Sequence, residues 1–177
     1  MDSDNPFGAD NQQETLITEA PLDPWWLVGF VDGEGCFSVA VHRQPSARRS
    51  GGWQMTPVFQ VYQHEKARRL LERIQEHFDC GRVVSKGPRN QVLTFSVSKL
   101  ADLEARIVPF FERYQPLVKL EDFRRFAEIV RSMRRKEHLE RDGFERLLRL
   151  AYEMNAHGKQ RARPLEVILE GSSETAR

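Results

Sequence analysis

No stretch of this chain runs for the roughly 18 apolar residues that a membrane-spanning helix needs, so none is predicted to cross a bilayer. The first 24 residues lack the basic start and apolar run of a secretory signal. Cysteine is nearly absent. Cys36 and Cys80 are too few for a disulfide framework and read as reduced packing residues. His64, His77, His138 and His157 lie far apart, without the spacing of metal ligands. No internal repeat is visible. These absences leave a protein of the cytosol or an organelle matrix, with one domain of ordinary size and enough apolar content for a core.

Lysine and arginine are also missing from residues 1–24, which carry Asp2, Asp4, Asp10, Glu14, Glu19 and Asp23. With the whole chain at +1, the remainder carries +7. A basic body behind an acidic leader is compatible with a polyanionic partner. Residues 1–23 read as a disordered leader, 24–160 as the folded domain and 161–177 as a poorly packed tail, with one extra turn or strand over Leu165 to Leu169.

Asp23 suits a helix N-cap and Pro24 the first helical position. Trp25 to Val31 then reads as a short apolar helix ending in Asp32-Gly33-Glu34-Gly35. Cys36 to His42 alternates, with Phe37, Val39 and Val41 on one face and Ser38, Ala40 and His42 on the other. Gln54 to Gln63 alternates too: Gln54, Thr56, Val58 and Gln60 oppose Met55, Phe59 and Val61. Gln63 breaks that parity, as at a strand end or bulge. Glu65 to Phe78 has helical spacing through Leu70, Leu71, Ile74 and Phe78. Arg82 to Lys86 and Gln91 to Val97 form a hairpin around Gly87-Pro88-Arg89-Asn90. Helices follow over Leu100 to Tyr114, broken near Pro109, then Glu121 to Arg135 and Leu139 to Asn155. This order predicts an α+β fold: a four-stranded antiparallel sheet with helices on one face and an open, polar, basic face on the other.

Chemistry concentrates in Leu27-Val28-Gly29-Phe30-Val31-Asp32-Gly33-Glu34-Gly35. Gly29 and Gly33 lie four apart on one helix face, a spacing that lets two helix backbones approach closely. Asp32 and Glu34 fall at the helix C-terminus, where partial negative charge disfavours carboxylates. If two copies of the helix pack together, two Glu34 carboxylates converge and call for hard divalent cations such as Mg2+. Two such cations flanking a phosphate serve in-line hydrolysis. The plainer reading of the same residues is an amphipathic helix with a glycine C-cap.

These nine residues resemble the signature of the LAGLIDADG homing endonucleases, with Leu27 at its first position, Gly29 at its third, Asp32 at its sixth, Glu34 at its eighth and Gly35 at its ninth. The resemblance implies that Glu34, with Gly33 beside it, holds Mg2+ (or Mn2+ or Ca2+), and that Asp32 organises the helix end. Phe59-Gln60-Val61-Tyr62-Gln63 resembles the family's second strand, which makes Gln63 a catalytic candidate. Leu117 to Phe123 resembles the start of a later helix that supplies a lysine near the scissile phosphate. Lys119 takes that role, although Leu120 and Glu121 depart from the paired basic residues of many relatives. The likeness extends from Trp25 to Arg161. A single motif implies a homodimer joined through Trp26, Gly29, Phe30, Asp32 and Gly33, and hence a roughly palindromic double-stranded target.

The implied activity is site-specific cleavage by a mobile, intron-encoded nuclease. Assistance to host intron RNA splicing and non-catalytic DNA binding are the alternatives on the same scaffold. The polar strand faces become the DNA platform. Base-reading candidates are Ser38, His42, Gln44, Gln54, Thr56, Gln60, Arg82, Lys86, Arg89 and Gln91, and Arg43, Arg48 and Arg49 are expected at phosphates. The arginines of the late helices, such as Arg134 and Arg135, read as a solvated face.

Overall fold

The computed structural model describes residues 20–46, 52–85, 87, 90–154 and 163–173. The acidic leader through residue 19, the candidates Arg48, Arg49, Lys86 and Arg89, and residues 155–162 lie outside them. No helix among the described residues is long and apolar enough to cross a membrane.

Helix α1 spans Pro24–Glu34. Its start is the one read from sequence: Asp23 Oδ1 accepts from Trp26 N at 2.8 Å, and Pro24 stands where no amide donor is needed. Its end also falls in the stretch read from sequence: the helix carries Asp32, Gly33 and Glu34 in its last turn, pinned by buried Leu27, Val28 and Val31. Strand β1, Gly35–Arg43, follows without a loop. That join requires glycine because of space. A Cβ at Gly35 would lie 2.6 Å from Val31 Cγ1 and 2.7 Å from Val31 O.

Strand β2 is Trp53–His64, followed by a 3₁₀ turn, Glu65–Ala67, and helix α2, Arg68–Phe78. Strands β3, Arg82–Ser85, and β4, Val92–Val97, form the second hairpin. All pairings are antiparallel and the strand order is β1-β2-β4-β3. The expected alternation holds. Phe37, Met55, Phe59, Val61, Leu93, Phe95 and Val97 are buried on the helical side. Gln63 stands at the end of β2, in the last two pairs Gln63↔Leu93 and His64↔Val92, so its change of parity marks the strand end and no bulge.

The expected break near Pro109 is instead a change of helical pitch. Short helix α3, Leu100–Asp102, passes into a π turn at Leu103–Ile107 and then α4, Val108–Arg113. Proline has no amide hydrogen and its ring crowds the carbonyl four residues back. Widening the preceding turn, so that Val108 N–H reaches Leu103 O, relieves that conflict without ending the helix. Helix α5 is Leu120–Arg134, and after a 3₁₀ turn at Glu137–Leu139 comes α6, Arg141–Glu153. The expected extra turn or strand near Leu165 is a nine-residue helix, α7, Leu165–Ser173, whose Ile168 is buried.

Eight phenylalanines centred on Phe37, Phe59 and Phe111 make the shared core of sheet and helices, with ring centroids between 4.9 and 6.2 Å apart. Several late-helix arginines are paired as well as solvated: Arg131 with Glu112, Arg134 with Glu104, and Arg146 with both Glu128 and Glu137. Their charge is largely neutralised locally, which leaves the helical side a poor polyanion surface.

Candidate active site and nucleic-acid interface

The C-terminal end of α1 gathers the residues that carry chemistry. Glu34 is exposed at the last helical position. Asp32 is turned away from it. Its Oδ2 accepts from Leu117 N at 2.7 Å and Val118 N at 3.2 Å, and its Oδ1 from Lys119 N at 3.1 Å. Lys119 closes the clasp, its Nζ donating to the Asp32 backbone carbonyl. An acid that a helix C-terminus disfavours is thereby satisfied by three amide donors just ahead of α5. Lys119, the N-cap of α5, is held beside the motif although 87 residues separate it from Asp32.

The two motif carboxylates therefore have different chemistry available. Asp32 is occupied by protein donors, whereas Glu34 is open. Among the described residues no three His, Cys, Asp or Glu side chains gather to hold a metal ion. Glu34 suits a hard divalent cation in donor type. Gly33 is exposed beside it, its carbonyl near the free end of the helix.

The outward face of α1 is the other distinctive surface. A Cβ on Gly29 or Gly33 would meet nothing within 4 Å. Trp26 is 46% exposed and stacks on Phe30 with centroids 5.1 Å apart. Leu117 and Val118, tethered to Asp32, are 88% and 82% exposed. Of the five expected interface residues, Trp26, Gly29, Phe30 and Gly33 share this face by helical spacing, and the Asp32 carboxylate is engaged with the 117–119 segment.

On the open sheet face the register lines up His42↔Gln54, Ala40↔Thr56, Ser38↔Val58 and Cys36↔Gln60, and further across Gln60↔Ser96↔Arg82. Ser38, His42, Gln54, Thr56, Gln60 and Arg82 therefore share one surface. Gln44 lies beyond β1 and donates through Nε2 to Ser46 Oγ at 3.0 Å. Gln91 precedes β4, and its Oε1 meets His64 Nε2 at 3.0 Å, so it is tied to the end of β2. Arg43 stacks over the Trp53 ring at 4.5 Å. Gln63 sits in the final pairs of β2, beyond the last β1 partner, with Oε1 accepting from His64 N.

Sequence reading took Cys36 as a packing residue and gave Tyr62 no role of its own. Cys36 is on the open face, and burial pushes its thiol pKa up against the lowering effects of Ser38 and Lys119. Burial, and then Cys36, push the Tyr62 phenol up. Their parity with Ser38 and Gln60 was the available signal. Nothing local to Asp32 announced its partners at 117–119.

The chain matches the LAGLIDADG endonuclease family over residues 27–130. It is 35% identical over 76% of its length to probable intron-encoded endonuclease 2 of Neurospora crassa, of which it spans 29%. It is 28% identical to the homing endonuclease I-ApeII of Aeropyrum pernix, with 82% of this chain and 87% of that protein aligned. Among solved structures, homing endonuclease I-TnaI superposes with a TM-score of 0.75 at 34% identity, covering 86% of this chain and 99% of the other. The archaeal intron-encoded homing endonuclease I-Vdi141I, complexed with DNA, gives 0.78 at 30% identity, covering 86% and 95%. The matched span holds the motif helix, the sheet and the lysine-bearing start of α5, and the chain belongs to the LAGLIDADG endonuclease family.

Proposed function

We propose that this chain is a homing endonuclease that cuts double-stranded DNA, as a homodimer and with divalent metal, at a long and roughly palindromic site. The observation that carries this reading is the α1 face. It combines two glycines open to solvent, the exposed Trp26 stacked on the half-buried Phe30, and a free carboxylate at its end. Packing two such helices about a two-fold axis buries Trp26 and Phe30 and brings together two Glu34 side chains, a pair of acids suited to hard cations. A divalent cation bound there supplies charge neutralisation for the phosphate and activation of water.

Glu34 is the metal ligand in this reading, with the Gly33 carbonyl beside it. Lys119, an ammonium held at the same helix end, stabilises charge that develops on the phosphate. Gln63 orients the attacking water from the end of β2. Asp32 positions Lys119 and does not bind metal. Ser38, His42, Gln54, Thr56, Gln60 and Arg82 face the major groove, with Gln44 and Gln91 at its margins. The DNA-bound structure of I-Vdi141I supports a DNA target.

The test is cleavage of duplex DNA spanning the intact host gene at the point where this coding sequence interrupts it. Wild type with Mg2+ is expected to cut both strands. Glu34→Gln is expected to bind the same duplex and leave it whole. A Glu34→Gln protein that cuts at the wild-type rate overturns the assignment.

A further inference from the structure

Gln60 and Tyr62 stand two residues apart on the open face of β2. The Tyr62 hydroxyl donates to Gln60 Oε1 at 2.7 Å. Gln60 Nε2 has no hydrogen-bond partner among the described residues. Tyr62 is half-buried in register with Thr94, which is 2% exposed. A phenol is protonated at neutral pH, and burial raises its pKa further, so the hydroxyl is a donor.

A glutamine with a freely turning amide pairs with adenine by accepting from N6 and donating to N7. That geometry needs Oε1 aimed into the groove. Here Oε1 faces Tyr62, and the amide nitrogen is the end left to present. We infer that Tyr62 is a positioning residue for base selection: it fixes the Gln60 amide so that the protein offers a donor to one base pair of each half-site, favouring guanine, with acceptors at N7 and O6, over adenine. This inference rests on the DNA-reading function proposed above.

The experiment is selection of bound duplexes from a pool of randomised DNA in Ca2+, followed by sequencing, using full-length wild type, Tyr62→Phe, Gln60→Ala and Gln60→Glu. Tyr62→Phe keeps the ring and removes only the hydroxyl, and thermal melting of each variant checks that it folds. Wild type is expected to favour guanine at one position per half-site. Gln60→Ala erases that preference there alone, and Gln60→Glu moves it toward cytosine, whose N4 amine donates. Tyr62→Phe shifts it toward adenine by on the order of tenfold, leaving other positions unchanged.

A purely structural role for Tyr62 would weaken all positions together and move none toward adenine, which overturns the inference. So does a wild-type preference for adenine at the Gln60-dependent position, or an unaltered preference in Tyr62→Phe. If wild type enriches no sequence at all, the DNA-reading function fails and takes this inference with it. Specific enrichment with an unmoved Tyr62→Phe profile fails the inference alone.

Discussion

Asp32 binds three amide protons that lie 85 to 87 positions away in the chain. A charged acceptor contributes more than a neutral one, so Asp32→Ala is expected to lower stability by about 1–3 kcal/mol in urea unfolding. Because the same contacts hold Lys119, single-turnover cutting should fall further than the folded fraction does, with Asp32→Asn intermediate. Cutting that falls only as far as the folded fraction would make the clasp structural only. His138 makes a second test at this scale. Its Nδ1 is buried without a partner among the described residues, and burial pushes its pKa below the usual histidine value. A depressed pKa means that the unfolded chain takes the proton more readily. The associated stability is complete above about pH 6.5 and is lost as the pH falls below it toward the folded-state value. Melting temperatures are expected to drop as the pH falls below about 6.5, and His138→Phe should shrink that drop. An unchanged drop would assign it to His77, whose pKa burial also lowers.

At the scale of elements, the join of α1 to β1 aims the motif. Gly35→Ala puts a methyl within 2.7 Å of the Val31 backbone carbonyl, an atom that cannot move aside as a flexible side chain would. Overpacking of this kind costs about 1–3 kcal/mol, and the expected readout is a lower urea midpoint with reduced cutting. A midpoint equal to wild type would show that the join is looser than its geometry. Phe59→Ala tests the layer beneath. Phe59 is fully buried against Phe37, Phe78, Phe95 and Phe111, and its loss should cost about 3–5 kcal/mol. The strands were readable because alternation of side chains across a sheet is a local, two-residue rule. The Pro109 region was misread for the opposite reason. Whether a proline breaks a helix depends on whether the preceding turn can widen.

For the whole molecule, the decisive surface is one that the single chain leaves bare. Gly29→Arg adds a long side chain where nothing lies within 4 Å, so the fold of the individual chain should survive. The proposed dimer should not, and light scattering is expected to give half the wild-type mass with nuclease activity lost. A dimeric, active Gly29→Arg protein would move the interface elsewhere.

By itself the sequence determined the layer order, the inward and outward strand faces, the Asp23 cap and the motif that singles out Glu34. Each follows from local periodicity, capping or a contiguous run of residues. Only the tertiary structure decided that Asp32 holds the start of α5, that Lys119 reaches the motif, that Gln91 is tied to His64, and that Tyr62 turns Gln60. These are hydrogen bonds whose direction depends on where side chains meet across strands or between distant segments. Spacing along the chain places the donors and acceptors but does not say which of them will pair.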